Sequence, residues 1–357
     1  MKLGILNEPN GNRIAMTPSA AKKLKAIGVE VLIESGAGHN AHFSDKDFEG
    51  SATIQTRNEV IASSSLIAFV SKPDKEVLQE ISRNKYVFSG FQPFSDKTII
   101  DELKELGLAA FSYDMIPRTT IAQSMDVLSS MASIAGYQAV LTACNYLPRY
   151  MPMMSTAAGT IKPAKVLVLG AAVAGLQAIA TAKRLGAIVE AFDTRSASKE
   201  EVESLGAKFI EVEGAAEDKG AGGYGVQQSE EFLQKQRQIV KEKSEKADII
   251  ITTAQVRGRK APTLVTQETV EHMQAGSVIV DLASSTGGNC ELSVDNEVVT
   301  HKGVTIIGNS NLADQMPQDA STLFANNLVN FLKILVKDGE IVLDLENPII
   351  SESLITK

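Results

Sequence analysis

The run Lys165-Val166-Leu167-Val168-Leu169-Gly170-Ala171-Ala172-Val173-Ala174-Gly175 decides the fold. Residues 166–169 form a short apolar stretch suited to a buried strand, and Gly170 breaks it. The pattern from Val173 to Leu185, with Gln177, Lys183 and Arg184 among apolar residues, reads as a helix. Strand, Gly-rich turn and helix in that order open a βαβ unit. The first Gly allows the tight turn, and the last lets helix and strand pack closely. The helix N-terminus then offers free N–H groups and a positive dipole end to a pyrophosphate. The middle glycine of the usual G-x-G-x-x-G is Ala172 here, which adds a methyl where the backbone meets the phosphates. Asp193 ends the next strand, 188–192, at the roughly 20-residue distance expected of the acid that accepts hydrogen bonds from a ribose diol. A carboxylate there repels a 2′-phosphate, so the string reads as a Rossmann-type site for NAD(H) over NADP(H). Arg195, close by, is the one cation that argues the other way.

Working outward, the same rhythm continues on both sides. Downstream the pattern predicts a helix over 199–205 and strands over 208–212, 248–252, 277–281 and 304–307. It also predicts a polar Gly-rich stretch over 214–225 and a charged helix over 230–246. Upstream it predicts strands over 2–6, 29–33, 66–70, 86–90 and 109–113. The first helix starts at Thr17-Pro18, an N-cap followed by Pro at N1, and Gly28 ends it. A long helix over 122–147 stops at Pro148, and an amphipathic helix over 320–336 folds back onto the first half. The fold class is therefore α/β, with two Rossmann-like domains built on parallel sheets and joined by long helices. The expected boundaries are 1–130 completed by 312–357, and 131–311 for the nucleotide-binding domain.

Composition agrees. A chain of 357 residues suits two domains, and 44% apolar residues suffice for packed cores. A net charge of -8 leaves no electrostatic footprint for nucleic acid. Cys144 and Cys290 lie far apart with no pairing pattern, which points to a reducing compartment. The N-terminus lacks the apolar core of a signal peptide. The longest apolar stretch, 166–182, is interrupted by Gly170 and Gly175, so no membrane span is expected. His39 and His42 have no third ligand, and no metal is expected.

A second segment carries chemistry. In Pro117-Arg118-Thr119-Thr120-Ile121-Ala122-Gln123-Ser124-Met125-Asp126-Val127-Leu128-Ser129-Ser130, the residues Gln123, Asp126 and Ser129 recur every third position. A helical turn puts them on one side, after Arg118. A planar cation, an amide, a carboxylate and a hydroxyl suit a polar ring bearing a carboxamide. A solvated helix N-terminus is the other reading, and spacing alone favours it.

This run, with Ala135-Gly136-Tyr137 after it, closely resembles the NAD(H)-binding component of proton-translocating nicotinamide nucleotide transhydrogenases. The resemblance spans nearly the whole chain. It includes Arg13, Thr156-Ala157-Ala158-Gly159-Thr160, the Gly170 turn and Phe192-Asp193-Thr194-Arg195. It continues through Gly222-Gly223-Tyr224, Thr252-Thr253-Ala254, Asp281-Leu282-Ala283, Gly287-Gly288-Asn289-Cys290 and Asn326-Asn327-Leu328-Val329-Asn330. It implies that Arg118, Gln123, Asp126 and Ser129 hold the nicotinamide and its ribose. Gly170, Ala172, Val173, Asp193, Thr194 and Arg195 would meet the pyrophosphate and adenosine ends. Tyr224 would lie in a mobile loop that closes over the nucleotide, and Gly223, Gln236 and Gln255 would make further contacts. The departure is Ala172. The implied activity is Re/Si-specific transfer of hydride between NADH and NADP⁺, the latter on a partner subunit, coupled to proton translocation. Membrane-embedded partner subunits, a homodimer and a place at the inner face of the cytoplasmic membrane follow from the same resemblance.

Alanine dehydrogenases share this fold, and their chemistry needs an acid/base and a carboxylate clamp. Arg13 suits one clamp. The remaining positions read Phe69, with Lys72 out of register, Gly90-Phe91-Gln92, and Ser285, which argues against an amino-acid oxidoreductase. A binding module that senses redox state without turnover is a third reading. Cys290 reads as a small packed residue rather than a reactive thiol.

Overall fold

Two sheets, one parallel and one parallel but for an added edge strand, repeat one order over six strands. The computed structural model describes residues 1–212 and 230–356, so Gly223 and Tyr224 lie outside the described residues. The chain divides into a first unit, Met1–Met131 with Ala313–Lys357, and a second unit, Ala132–Leu312.

In the first unit, β1 (Lys2–Ile5), β2 (Glu30–Glu34), β3 (Thr53–Gln55), β4 (Leu66–Ala68), β5 (Tyr86–Ser89) and β6 (Ala109–Ser112) form one sheet. Their order is β3-β2-β1-β4-β5-β6, all parallel. Parallel strands need crossovers, and the first is the helix Pro18–Lys25. Thr17 caps it by accepting the Ala20 amide, and Gly28 at φ +79° turns the chain into β2. The strands bury both faces, one against Leu24, Phe48 and Phe324 and the other against Val60, Leu78 and Leu103. The helix Pro317–Leu335 belongs to this unit. It sets Phe331 against Phe88 and Phe111 with ring centroids 5.0 and 5.4 Å apart. Each fully buried Phe contributes about 1.5–3 kcal/mol, which fixes this distant stretch of chain to the sheet. Strand β3 was not expected: Thr53-Ile54-Gln55 is a three-residue edge strand, too short to show alternation.

In the second unit a hairpin of β7 (Met154–Thr156) and β8 (Gly159–Ile161) precedes the sheet. The sheet holds β9 (Lys165–Leu169), β10 (Ile188–Phe192), β11 (Lys208–Phe209), β12 (Ile249–Thr252), β13 (Val278–Asp281), β14 (Glu297–His301) and β15 (Val304–Gly308). Their order is β11-β10-β9-β12-β13-β15-β14, parallel except for the β14–β15 pair. Strands β12 and β13 are buried along their whole length, hence their unbroken Ile and Val runs. Strand β14 was missed because charged and polar residues flank its two adjacent valines on an exposed edge.

The long helix expected over 122–147 is divided. A 3-10 turn covers Ile121–Met125, and the α-helix begins at Val127 and ends at Tyr146. Asp126 stands between them at ψ 89°. Its carboxylate accepts the Ser129 amide at 2.9 Å and the Ser129 hydroxyl at 2.6 Å. That N-cap geometry satisfies helix-start donors and fixes the break. By length and composition the helix Val127–Tyr146 could cross a membrane, with mean hydropathy 1.3, which the reading of 166–182 as the longest apolar stretch overlooked. Its Ala139, Val140 and Ala143 are buried in the core of the second unit, and 39% of the apolar window as a whole is buried.

Candidate functional site

Where the strand order of an open α/β sheet reverses, a crevice opens beyond the carboxyl ends of the strands. In the second unit that point lies between β9 and β12. Gly170 follows β9 at φ +104°, donates its amide to Phe192 O at 2.8 Å, and accepts the Thr253 hydroxyl at 3.1 Å. A Cβ built on Gly170 lies 2.4 Å from the Thr253 hydroxyl oxygen, and one on Gly175 lies 1.8 Å from the Gly170 carbonyl oxygen. Both glycines are thus dictated by close approach. The helix Val173–Arg184 opens with Ala172 as N-cap, with no side-chain hydrogen bond to its first turn. Alanine offers no oxygen, so the first-turn amides and the dipole end are left for an anion. Gly136, on the helix Val127–Tyr146, is dictated too: a Cβ there lies 2.0 Å from the Ala174 carbonyl oxygen.

Asp193 sits where β10 ends, beside that loop. Its Oδ2 accepts the Ala171 amide at 2.7 Å. Its Oδ1 accepts the Arg195 amide at 2.8 Å and Nε at 3.0 Å, and Arg195 Nη2 reaches Oδ2 at 3.2 Å. A carboxylate offers about four lone-pair sites, and all are taken. Thr194 is exposed. Gln255 is exposed and donates to Leu282 O at 2.9 Å. Gln236 is buried on the helix Glu230–Ser244, and its Oε1 has no partner among the described residues. Val173 is exposed at the head of its helix.

Behind the loop stands a network that sequence reasoning left without a role. Asp281, at the end of β13, is fully buried. It accepts the Thr252 hydroxyl, the Ala283 amide, the Asn289 amide and the Cys290 amide at 2.8–3.0 Å. Asn289 in turn receives the Ala254 amide at 2.9 Å and donates to Ala254 O and Pro262 O at 2.8 Å. The polar strings around Thr252, Asp281 and Asn289 were the available signal. Burial pushes the Cys290 thiol up to about 12, so it is a packed residue and not a nucleophile.

In the first unit, Arg118 and Gln123 are exposed, and Arg118 has no partner among the described residues. Gln123 lies on the 3-10 turn, and its carbonyl accepts the Asp126 amide at 3.2 Å. The structure thus brings Gln123, Asp126 and Ser129 into one local arrangement. They do not share a helix face, because Asp126 breaks the helix. Arg118 makes no contact with them that the structure records. The phosphate-loop residues belong to the second unit and the Arg118–Ser129 segment to the first.

Two family descriptions match in succession: Alanine dehydrogenase/PNT, N-terminal domain, over residues 4–135, and Alanine dehydrogenase/PNT, C-terminal domain, over residues 139–357. The chain belongs to the alanine dehydrogenase/PNT family. It is 42% identical over 370 residues to the first portion of the NAD(P) transhydrogenase alpha subunit of Rhodospirillum rubrum, covering 100% of this chain and 96% of that one. The crystal structure of transhydrogenase from Sinorhizobium meliloti matches with a TM-score of 0.90 at 41% identity, over 99% of this chain and 97% of that one. The alanine dehydrogenase of Mycolicibacterium smegmatis is 27% identical, over 95% of this chain and 88% of that one. Within the alanine dehydrogenase/PNT family the chain is therefore more similar to the transhydrogenase alpha subunits.

The crevice of the first unit is filled from within. Glu8 follows β1, and its carboxylate accepts the Val70 and Ser71 amides at 2.7 and 2.8 Å, just beyond β4. Arg13 pairs with Asp314 at 3.0 Å beside it. Burial pushes the Glu8 carboxyl up to about 7, against the two amides and Arg13. At pH below its ordinary value of 4.5 the proton is bound in both folded and unfolded chains. Between about 4.5 and about 7 the unfolded chain releases the proton while the folded chain keeps it, so stability falls across that window and levels off above it. Thermal melts should show a loss of about 2 kcal/mol between roughly pH 5 and pH 8. Glu8→Gln should flatten that slope. An unchanged slope in the variant would assign it to another group.

The positions where alanine dehydrogenases would place their acid/base carry none here. Phe69 is buried, Lys72 pairs with Asp96 at 2.7 Å, Gln92 is exposed at φ +52°, and Ser285 is exposed. Among the described residues no cluster of three or more His, Cys, Asp or Glu side chains could hold a metal.

Proposed function

We propose that the chain is the NAD(H)-binding subunit of a proton-translocating NAD(P)⁺ transhydrogenase. The observation that carries the reading is the uncapped helix Val173–Arg184 rising from the Gly170 turn with Asp193 beside it. Both glycines leave room for backbone only, and the exposed amide cradle suits a pyrophosphate. The bidentate grip of Asp193 on Arg195 favours NAD(H). It neutralises the one cation that could welcome a 2′-phosphate, and a ribose diol reaches the carboxylate by displacing Arg195 from it. The family's transhydrogenase members support the rest. Arg118, Gln123, Asp126 and Ser129 hold the nicotinamide and its ribose, and Val173, Thr194, Gly223, Tyr224, Gln236 and Gln255 meet the remainder.

Bound NADH supplies a hydride, which passes with its electron pair to NADP⁺ on a partner subunit. No proton moves in that step, so the chain needs no acid or base. It orients the ring and excludes water. Activity then depends on the partner subunits, with the chain a homodimer peripheral to the cytoplasmic face of the membrane.

Calorimetric titration of the chain with NADH and with NADPH, followed by a hydride-transfer assay with the NADP(H)-binding partner, tests this. NADH should bind at least tenfold more tightly than NADPH, since a repelled 2′-phosphate costs more than about 1.4 kcal/mol. Transfer should appear only with the partner. Oxidation of NADH by the chain alone with pyruvate and ammonia would overturn the reading in favour of an amino-acid dehydrogenase.

A further inference from the structure

The string Asn326-Asn327-Leu328-Val329-Asn330 lies on the helix Pro317–Leu335. Asn327 and Asn330 are three residues apart, hence on one face. The Asn327 side-chain amide donates to the Ser124 carbonyl at 2.9 Å, and the Asn330 amide donates to the same oxygen at 3.1 Å. A carbonyl has two lone pairs, and both are taken. Ser124 lies in the 3-10 turn Ile121–Met125, next to Gln123 and just before Asp126. Such a turn has poor internal hydrogen bonds, and Ile121, Gln123 and Ser124 in it are exposed. Its tether to the unit's core helix is therefore the asparagine pair, together with the buried Ala122 and Met125.

The pair does not look like a packing device. Asn327 is 7% exposed, and its Oδ1 has no partner among the described residues. Leaving a buried acceptor unsatisfied costs about 1–3 kcal/mol. The recorded bond of this side chain is the one its amide donates to Ser124. Asn326, next to it, points elsewhere: its Oδ1 accepts Lys23 Nζ at 2.8 Å.

We propose that Asn327 and Asn330 are positioning residues for hydride transfer, clamping the Ser124 carbonyl so that Gln123 and Asp126 meet the nicotinamide in one geometry. This rests on the function proposed above. It assigns a task to two side chains that touch no nucleotide themselves.

The test compares Asn327→Asp and Asn330→Asp, which replace the donor facing the carbonyl with an acceptor, against Asn326→Asp, which makes the same charge change without touching the turn. NADH affinity is read by calorimetry on the full chain and turnover in the complex with the NADP(H)-binding subunits. Hydrogen exchange is read at the Ala122 and Asp126 amides, which bond to Thr119 O and Gln123 O inside the segment. Turnover should fall about tenfold in both clamp variants with the NADH Kd changed less than about threefold. The two amides should exchange faster, and Asn326→Asp should match the unsubstituted chain. Half-buried Asn330 carries the test if Asn327→Asp fails to fold. Unchanged exchange or turnover, a loss of affinity in step with turnover, or the same loss in Asn326→Asp would overturn the proposal. An unsubstituted chain that binds no NADH would defeat the function itself, and that result is seen before any variant is made.

Discussion

Gly175→Ala should remove measurable NADH binding while leaving a folded, less stable chain. The added Cβ would sit 1.8 Å from the Gly170 carbonyl oxygen and 2.8 Å from its carbon. Both are backbone atoms of the turn itself, so no side chain can move aside. The helix Val173–Arg184 must withdraw from its strand by roughly 1 Å or more. Displacement on that scale costs on the order of 100-fold where groups must be placed against a ligand. Overpacking of this kind costs about 1–3 kcal/mol of stability. Ala172→Gly is the informative companion, because it removes a methyl at the N-cap and creates no contact. Calorimetry and a thermal melt on both variants decide the matter. Gly175→Ala binding NADH as well as Ala172→Gly would place the nucleotide elsewhere.

Asp281→Ala should cost about 3–5 kcal/mol of unfolding free energy, the largest loss expected from a polar substitution in the second unit. The carboxylate is fully buried and accepts from one hydroxyl and three backbone amides. Removing it leaves four donors facing a cavity. Asp281→Asn keeps the shape but turns an N–H toward one pair of donors, so an intermediate loss is expected. Because Asn289 is anchored by Asp281 and itself grips Ala254 and Pro262, the damage should reach the loop that carries Gln255. Chemical denaturation measures it. A loss below about 1 kcal/mol would show that the surrounding amides find other acceptors.

How far the sequence went follows from where its signals are local. Strand, turn and helix from Lys165 onward were legible because each element declares itself by apolar run, glycine and periodicity. The structure adds the reason for Gly175 in a contact within the same motif, and the reason for Gly170 in Thr253, far downstream. Strands β3 and β14 were invisible because edge strands of three and five residues, exposed on one side, carry no pattern. The break at Asp126 was misjudged because a three-residue recurrence suits both a helix face and a cap. Only the carboxylate's bond to the Ser129 amide distinguishes them. The Asp281 knot, the Asn327 clamp and the placement of Glu8 depend on pairs from 2 to 206 residues apart, most of them on different elements, and no single segment announces them. Asp193 was found at its expected place, but its engagement by Arg195 was not foreseen, since an Asp two residues before an Arg reads in sequence as two separate charges.

Two sheets share one order over six strands, yet the Glu8 carboxylate lies on the amides at the crevice of the first. Its effect is that of a competitive inhibitor that never diffuses away. Well-oriented groups within one molecule can reach effective concentrations of about 10⁵ M. A free carboxylate or phosphate at millimolar level loses that contest by many orders of magnitude.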